Sequence, residues 1–383
     1  MGIPKDRLKN VLIWLLASMT MIVFIACGSS DDDDDDDDEV VTKITVSGYV
    51  MDGYGSGATV CIDTNNNNAI DADEPQTTTN STGYWSITRN AGDPTGNIIS
   101  QGGTDISTGQ PLMSMSTPAP STTENSTRVL SPGSTMVVNR MDTTGENAQT
   151  AENNVLAAIN PNFSAFSNIG LTDYNYIEGS QSNDQSTANA AVTIANVSAQ
   201  ISNLITAAVT TAQGASSGTV DSTEVIGTIM GFLNSQINST QSIDNILENS
   251  QSISQALSNV GDTLSSSQGG NFNLNSFTQT GNTLATVLAE TNKQTTQAVQ
   301  SSSGSLDALT TIAASSKVTE NIAQTAAQVA QGTADQTALQ AYDTTAIQNE
   351  IQQQAQNVDQ STVAPDVSNN PTTATGSAGG TGD

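Results

Sequence analysis

No histidine occurs anywhere in this chain of 383 residues. That removes the commonest general base and the commonest imidazole metal ligand together. Cysteine is almost as scarce. Cys27 and Cys61 are the only two, too few for a zinc cluster or a disulfide framework. Cations are few as well, 9 Lys+Arg against 38 Asp+Glu, for a net charge of -29. Beyond the first 27 residues only Lys43, Arg89, Arg128, Arg140, Lys293 and Lys317 remain. A nucleic-acid partner needs a basic patch to replace the counterions on its phosphates, and none can be assembled from these. Anionic lipid headgroups are poor direct partners for the same reason, whereas divalent cations are not. Aromatic residues make up 4%, and Ser, Thr, Asn, Gln and Ala dominate. Such a composition builds a thin core and polar helices.

The usual signatures of an active site are missing too. There is no Gly-rich phosphate loop, no nucleophile elbow and no S-x-x-K pair. Two carboxylates could run a glycosidase without histidine, but Asp105, Asp173 and Glu178 stand singly along the chain. No catalytic residues are expected, and the chain is expected not to be an enzyme.

What is present begins with a targeting segment. Lys5, Arg7 and Lys9 precede the apolar run "VLIWLLASMTMIVFIA". Its length falls short of the roughly 20 residues that span a bilayer as a helix and suits a secretory signal over residues 1–26. "FIAC" with glycine and serines after it resembles a bacterial lipobox, although Phe24 stands where leucine is usual. The resemblance implies that Cys27 is acylated and becomes the new N-terminus, anchoring the protein in a membrane. An uncleaved signal anchor is the other option. Gly28, rather than aspartate, follows the cysteine, which by the same resemblance favours the outer membrane. Residues 27–42 then include eight consecutive aspartates, Asp31 to Asp38. Their mutual repulsion keeps the segment extended. It suits a stalk, an export cue or a solubilising linker, with a weak sponge for calcium as a minor alternative.

From residue 43 to about 140 the texture is that of short strands. "KITVSGYVMDG", "GATVCID", "GYWSITRN", "NIISQGG", "PLMSMST" and "STMVVNR" carry β-branched and small residues between Gly-rich breaks, which predicts six or seven strands in a small antiparallel sandwich. Directly after "ATVCI" comes "DTNNNNAIDADEP", residues 63–75. Counted from Asp63, the third, fifth, seventh, ninth and twelfth positions are Asn65, Asn67, Ala69, Asp71 and Glu74. That is the ligand spacing of a twelve-residue calcium loop, with a backbone carbonyl from Ala69 and a bidentate carboxylate from Glu74. Asn68 takes the sixth position, where glycine is usual; asparagine tolerates the left-handed conformation better than most residues. The same residues also suit an Asx-rich hairpin tip without metal.

Residues 44–88, with "GATV", "DTNNNNAIDADEP" and "TGYW", resemble the transthyretin-like, carboxypeptidase-regulatory-like or adhesin B-repeat modules of bacterial surface proteins. The resemblance implies a β-sandwich whose acidic loop holds calcium through Asp63, Asn65, Asn67, Asp71 and Glu74. Related modules often place a second cysteine where this chain has Ile70, so Cys61 is expected as an unpaired buried thiol. Tyr84 and Trp85 fit core residues or a carbohydrate platform.

Residues 141–360 carry apolar stripes at helical spacing. The best is Ile194, Val197, Ile201, Leu204, Ile205, Ala208 and Ala212. Further stripes run through Ile226–Ile237, Ile243–Val260, "LATVLAETNKQTTQAV", "VTENIAQTAAQVAQ" and "ALQAYDTTAIQNEIQQQ", with Gly/Ser breaks near 214–218, 264–270 and 300–305. Residues 361–383, rich in Pro, Thr, Gly and Ser, read as a disordered tail. The expected fold is therefore a multidomain α+β chain: an antiparallel β-sandwich, then an all-α domain, with a disordered acidic linker and tail. The expected function is a structural or adhesive role at the outer membrane or cell surface. Its partners would be the membrane, through Cys27, and envelope, matrix or self-association partners. The alternative is an envelope binding module presenting a small ligand or glycan without catalysis. A concave groove lined by Trp85 and tyrosines would favour the second; an exposed helix stripe would favour assembly.

Overall fold

The computed structural model describes residues 41–159, 169–237 and 242–371. The expected signal segment, Cys27 and the aspartate run lie outside the described residues, as does the sequence beyond Pro371. Strands come first and helices follow, and Thr42–Asp383 groups as one compact unit.

The strands are β1 (Lys43–Val50), β2 (Gly55–Ser56), β3 (Thr59–Ile62), β4 (Gln76–Thr78), β5 (Tyr84–Asn90), β6 (Ile98–Gln101), β7 (Thr104–Asp105), β8 (Met115–Thr117) and β9 (Ser126–Leu130). They form a β5-β1-β9 sheet, a β4-β3-β6-β8 sheet and a small β2-β7 ladder. In β5 the residues alternate between interior and solvent, with Trp85 and Ile87 inward and Ser86 and Thr88 outward, the period-2 pattern of a half-buried strand. One pair departs from the antiparallel expectation. β1 runs parallel to β9, with Gly48 opposite Arg128. A Cβ on Gly48 would lie 1.7 Å from the Arg128 carbonyl oxygen, so only glycine lets these two backbones approach.

"STMVVNR", expected as a strand, is instead the body of helix α1 (Pro132–Thr144). The reason lies just upstream. The Ser134 amide donates to Ser131 Oγ at 3.1 Å and the Ser131 amide to Ser134 Oγ at 2.9 Å, a capping box with Pro132 in the first turn. Gly145 closes the helix with a left-handed φ of 72°. Caps of this kind contribute about 1 kcal/mol each and override the weak strand preference of two valines.

After α1 come α2 (Ala148–Ile159), α3 (Tyr176–Gly179), α4 (Gln185–Ala215), α5 (Ser222–Gln236), α6 (Ile243–Leu247) and α7 (Ser250–Gln268). Then follow α8 (Leu274–Gln300), α9 (Ser305–Gln331), α10 (Gln336–Gln340), α11 (Thr344–Asn357) and α12 (Gln360–Val363). α4 is the central helix. By length and hydropathy it would pass for a membrane span, but 78% of its apolar window is buried inside the structure. Its most extensive partner is α9, and the two backbones close at Gly214, where a Cβ would lie 2.2 Å from the Ala327 carbonyl oxygen. Two stripes read as single helices are each split by a capping side chain. Asn249 accepts from the amides of Gln251 and Ser252 to start α7, and Asp343 accepts from the Ala346 amide to start α11.

The strand and helix regions share one buried core, which runs from Val46, Tyr54 and Trp85 into Met136, Ile194 and Ile201. Polar bridges reinforce it: Tyr176 Oη donates to the Met51 carbonyl at 3.0 Å, and Asn175 Nδ2 donates to Tyr54 Oη at 2.7 Å. Residues 361–371, expected as part of the disordered tail, are ordered. Val363 buries its side chain, and Asn370 is tied to Tyr49, Asn80 and Thr82.

Candidate functional site

The loop after β3 is closed by its own side chains. Asp63 is buried and accepts from the Asn67 amide at 3.1 Å and the Asn68 amide at 2.8 Å. Asn66 and Asn68 both take φ 58°, the left-handed turn expected at the sixth position. Asn65 Nδ2 and Asn67 Nδ2 each lie 2.8 Å from Asp71 Oδ2, so the third, fifth and ninth positions converge on one atom. These bonds hold the Asp71 carboxyl below its ordinary range. The Ala69 amide donates to Asn67 Oδ1 at 2.8 Å. From outside, the Asp63 amide donates to the Asn97 carbonyl at 2.9 Å, and Gly96 leaves room for the Asp63 carbonyl, where a Cβ would sit 1.7 Å away.

Glu74 faces the other way. Its Oε1 accepts from the Thr64 amide at 2.7 Å and Thr64 Oγ1 at 3.1 Å, while Oε2 accepts from Cys61 Sγ at 3.2 Å. Burial alone would raise its carboxyl, but these donors and the Asn65 and Asp71 amides outweigh burial and hold it below the usual range. Cys61 is a free, buried thiol, pushed up to about 12 by burial and by the Glu74 carboxylate, and so inert. Asp63, Asn65, Asn67 and Asp71 carry the hard oxygens that calcium takes, but here the Asp63, Asn65 and Asn67 oxygens accept from the loop's own amides, and the two asparagines turn their nitrogens toward Asp71. Glu74 does not act as a bidentate ligand in this arrangement; it braces the loop from behind. Among the described residues no three His, Cys, Asp or Glu side chains gather as a metal cluster, because the asparagines supply much of this loop's oxygen.

A second feature lies beside the β5-β1-β9 sheet. Tyr49, Tyr84 and Tyr174 line a groove of about 490 Å³ with Asp173, Asn175 and Glu178. Tyr49 and Tyr84 meet edge to face with ring centroids 5.6 Å apart. The ring of Tyr174 lies over Gly179, where a Cβ would meet its hydroxyl at 1.9 Å. Burial, with the nearby Glu178 charge adding, raises both the Tyr49 and Tyr174 hydroxyls, although a bond with Asn370 pulls Tyr49 back in part. Trp85 is not part of the groove: at 1% exposure it is core. Asp173 and Glu178, single in sequence, are brought to the same groove by the turn into α3.

Asp105 also acquires a partner that its sequence position does not announce. It and Asp52 line one cleft between the strand loops and helices α4 and α9. Burial raises both carboxyls, hydroxyl bonds oppose the shift, and at Asp52 the charge of Asp105 adds to it. The Asp-Gly pair at 52–53 reads in sequence only as a turn, and nothing in its spacing indicates a residue some fifty positions on. No family model, curated protein or solved structure matches this chain.

Proposed function

We propose that this chain is an exported, lipid-anchored surface protein with an adhesive role, and that its groove of tyrosines grips a glycan. The observation that carries this is the juxtaposition of Tyr49, Tyr84 and Tyr174 with Asp173, Asn175 and Glu178 in one concavity. A sugar ring has an apolar face of C–H groups and a rim of hydroxyls. Tyrosine rings bury the first, while carboxylates and amides accept from and donate to the second. A volume near 490 Å³ lies within the roughly 300–1,000 Å³ usual for ligand sites. The surface offers less to self-assembly through an apolar stripe: among the described residues Val41 is the only exposed large hydrophobic.

In this proposal the β layers are a sandwich-like platform of the transthyretin-like kind. Asp63, Asn65, Asn67 and Asp71 would hold a calcium ion that fixes the β3–β4 crossover, and the membrane link would come from Cys27. The decisive experiment is binding of the full extracellular chain to a panel of envelope and matrix oligosaccharides. The expected result is at least one binder whose affinity falls about tenfold or more in Tyr84→Ala, the loss of one stacked ring. A panel with no binder, or a binder indifferent to Tyr84→Ala and Tyr174→Ala, overturns the proposal.

A further inference from the structure

We propose that the cleft between the β1–β2 turn and helices α4 and α9 is a second binding site, selective for a small aliphatic amine. The cleft measures about 590 Å³, room for a ligand of a few to a dozen heavy atoms. Asp52 sits on its wall, held by a hydrogen bond from Ser202 Oγ to Oδ2. Among the described residues Asp52 Oδ1 accepts nothing. Asp105, on the same wall, has its oxygens taken by its own turn: the Ser107 amide and hydroxyl at 2.8 Å each and the Thr108 hydroxyl at 2.7 Å. It adds negative field without offering a free acceptor. Glu320 adds a third carboxylate. None of the residues lining the cleft is lysine or arginine, so no cationic side chain of the wall offsets the burial that raises the Asp52 and Asp105 carboxyls; a cationic ligand would.

An independent observation points the same way. Thr319, at 1% exposure, lines this cleft, and its hydroxyl is buried with no partner. In a helix a threonine hydroxyl ordinarily bonds back to the carbonyl four residues earlier, and Thr310 and Thr325 in α9 both do so. A buried hydroxyl left unpaired costs about 1–3 kcal/mol, a cost that a ligand donor would remove. An ammonium supplies three N–H donors and no acceptor, matching a wall that offers a carboxylate oxygen and a hydroxyl oxygen. The methylene chain behind it would lie along Leu112 and Val209 of the same cleft. A bare metal ion fits less well: Asp52, Asp105 and Glu320 share the cleft, but among the described residues no three such side chains come close enough together to hold one ion, and hard divalent cations need six or more oxygens at one centre.

The test is calorimetric titration of the full chain with hexamethylenediamine, and with hexanediol as its neutral counterpart. The eight aspartates of residues 31–38 set a weak background common to every variant. Saturable binding of the diamine above that background is expected, with none for the diol. Asp52→Asn, which keeps the Ser202 bond, should weaken binding about tenfold or more, the loss of one charge-assisted hydrogen bond. Thr319→Val should weaken it severalfold, and Asp262→Asn, at an exposed site on α7, should not change it. The proposal fails if the diamine never saturates, if the diol binds equally, or if Asp52→Asn and Asp262→Asn behave alike. Circular dichroism establishes that each variant is folded before the comparison is made.

Discussion

Asp63 Oδ2 lies 2.8 Å from the Asn68 amide, so the first side chain of the acidic loop clasps the turn five residues on. The clasp requires Asn68 to hold a φ of 58°, a conformation in which a β-carbon crowds the following carbonyl at a cost of roughly 1–2 kcal/mol. Asparagine bears that cost better than most residues, and glycine does not incur it. Asn68→Gly is therefore expected to leave thermal stability unchanged or raise it, and Asn68→Val to lower it by about 1–2 kcal/mol. Paired melting curves at one calcium concentration check both.

Calcium itself should appear as a shift in the same curves. Extracellular loops of this class bind at roughly 10⁻⁴–10⁻³ M, so about 10 mM free calcium would stabilise the fold by about 1.4–2.7 kcal/mol. Excess chelator should remove that gain, and Asp71→Ala should abolish the dependence without unfolding the protein. Identical melting in calcium and in chelator would leave the loop a metal-free hairpin tip.

The parallel β1–β9 pair gives a test of the fold. Gly48→Ala places a methyl group 1.7 Å from the Arg128 carbonyl oxygen, a backbone atom with nowhere to go. The two strands must part, and a destabilisation of about 3 kcal/mol is expected in chemical denaturation. Gly57→Ala is the instructive companion. That glycine has open space around it but a φ of +74°, so its cost should be the left-handed backbone alone, about 1–2 kcal/mol.

Much of this architecture was legible in the residues. The α4 stripe from Ile194 to Ala212 is buried along its whole length, because a helix must turn its apolar face inward at a period of 3.6. The break near 214–218 falls where α4 ends at Ala215. What misled was local. Met136, Val137 and Val138 resemble a strand until Ser131, Pro132 and Ser134 are taken together as a cap. Composition made residues 361–371 look structureless, yet Val363 and Asn370 each find a partner in the fold. In the loop, the Asp63–Glu74 spacing located the turn and its left-handed Asn68, but spacing carries no information on side-chain direction, and Glu74 turns toward Cys61 and Thr64. The tyrosine groove was harder still. Its tyrosines come from β1, β5 and the segment before α3, and only the packing of strands on helices joins them.

The last prediction concerns acidity. Asp244 stands in the first turn of α6, and its carboxyl is pushed up to about 6, first by burial and then by the charge of Glu248. Its Oδ1 is buried without a hydrogen-bond partner. The folded state thus holds this proton more tightly than the unfolded chain, whose aspartates titrate near 3.9. Stability linked to the group is then complete below about pH 4 and falls as pH rises through 6, because the unfolded state releases the proton first. Above that window the buried charge is a standing cost of about 2–3 kcal/mol, from roughly 1.36 kcal/mol per pKa unit. Asp244→Asn keeps the shape and removes the charge. The variant should be more stable than the parent at pH 7.5 and indistinguishable from it near pH 4, with the two curves parting between about pH 4 and 6. Urea midpoints measured across that range decide it, and a constant difference at every pH would show that packing, not ionisation, sets the cost at this position.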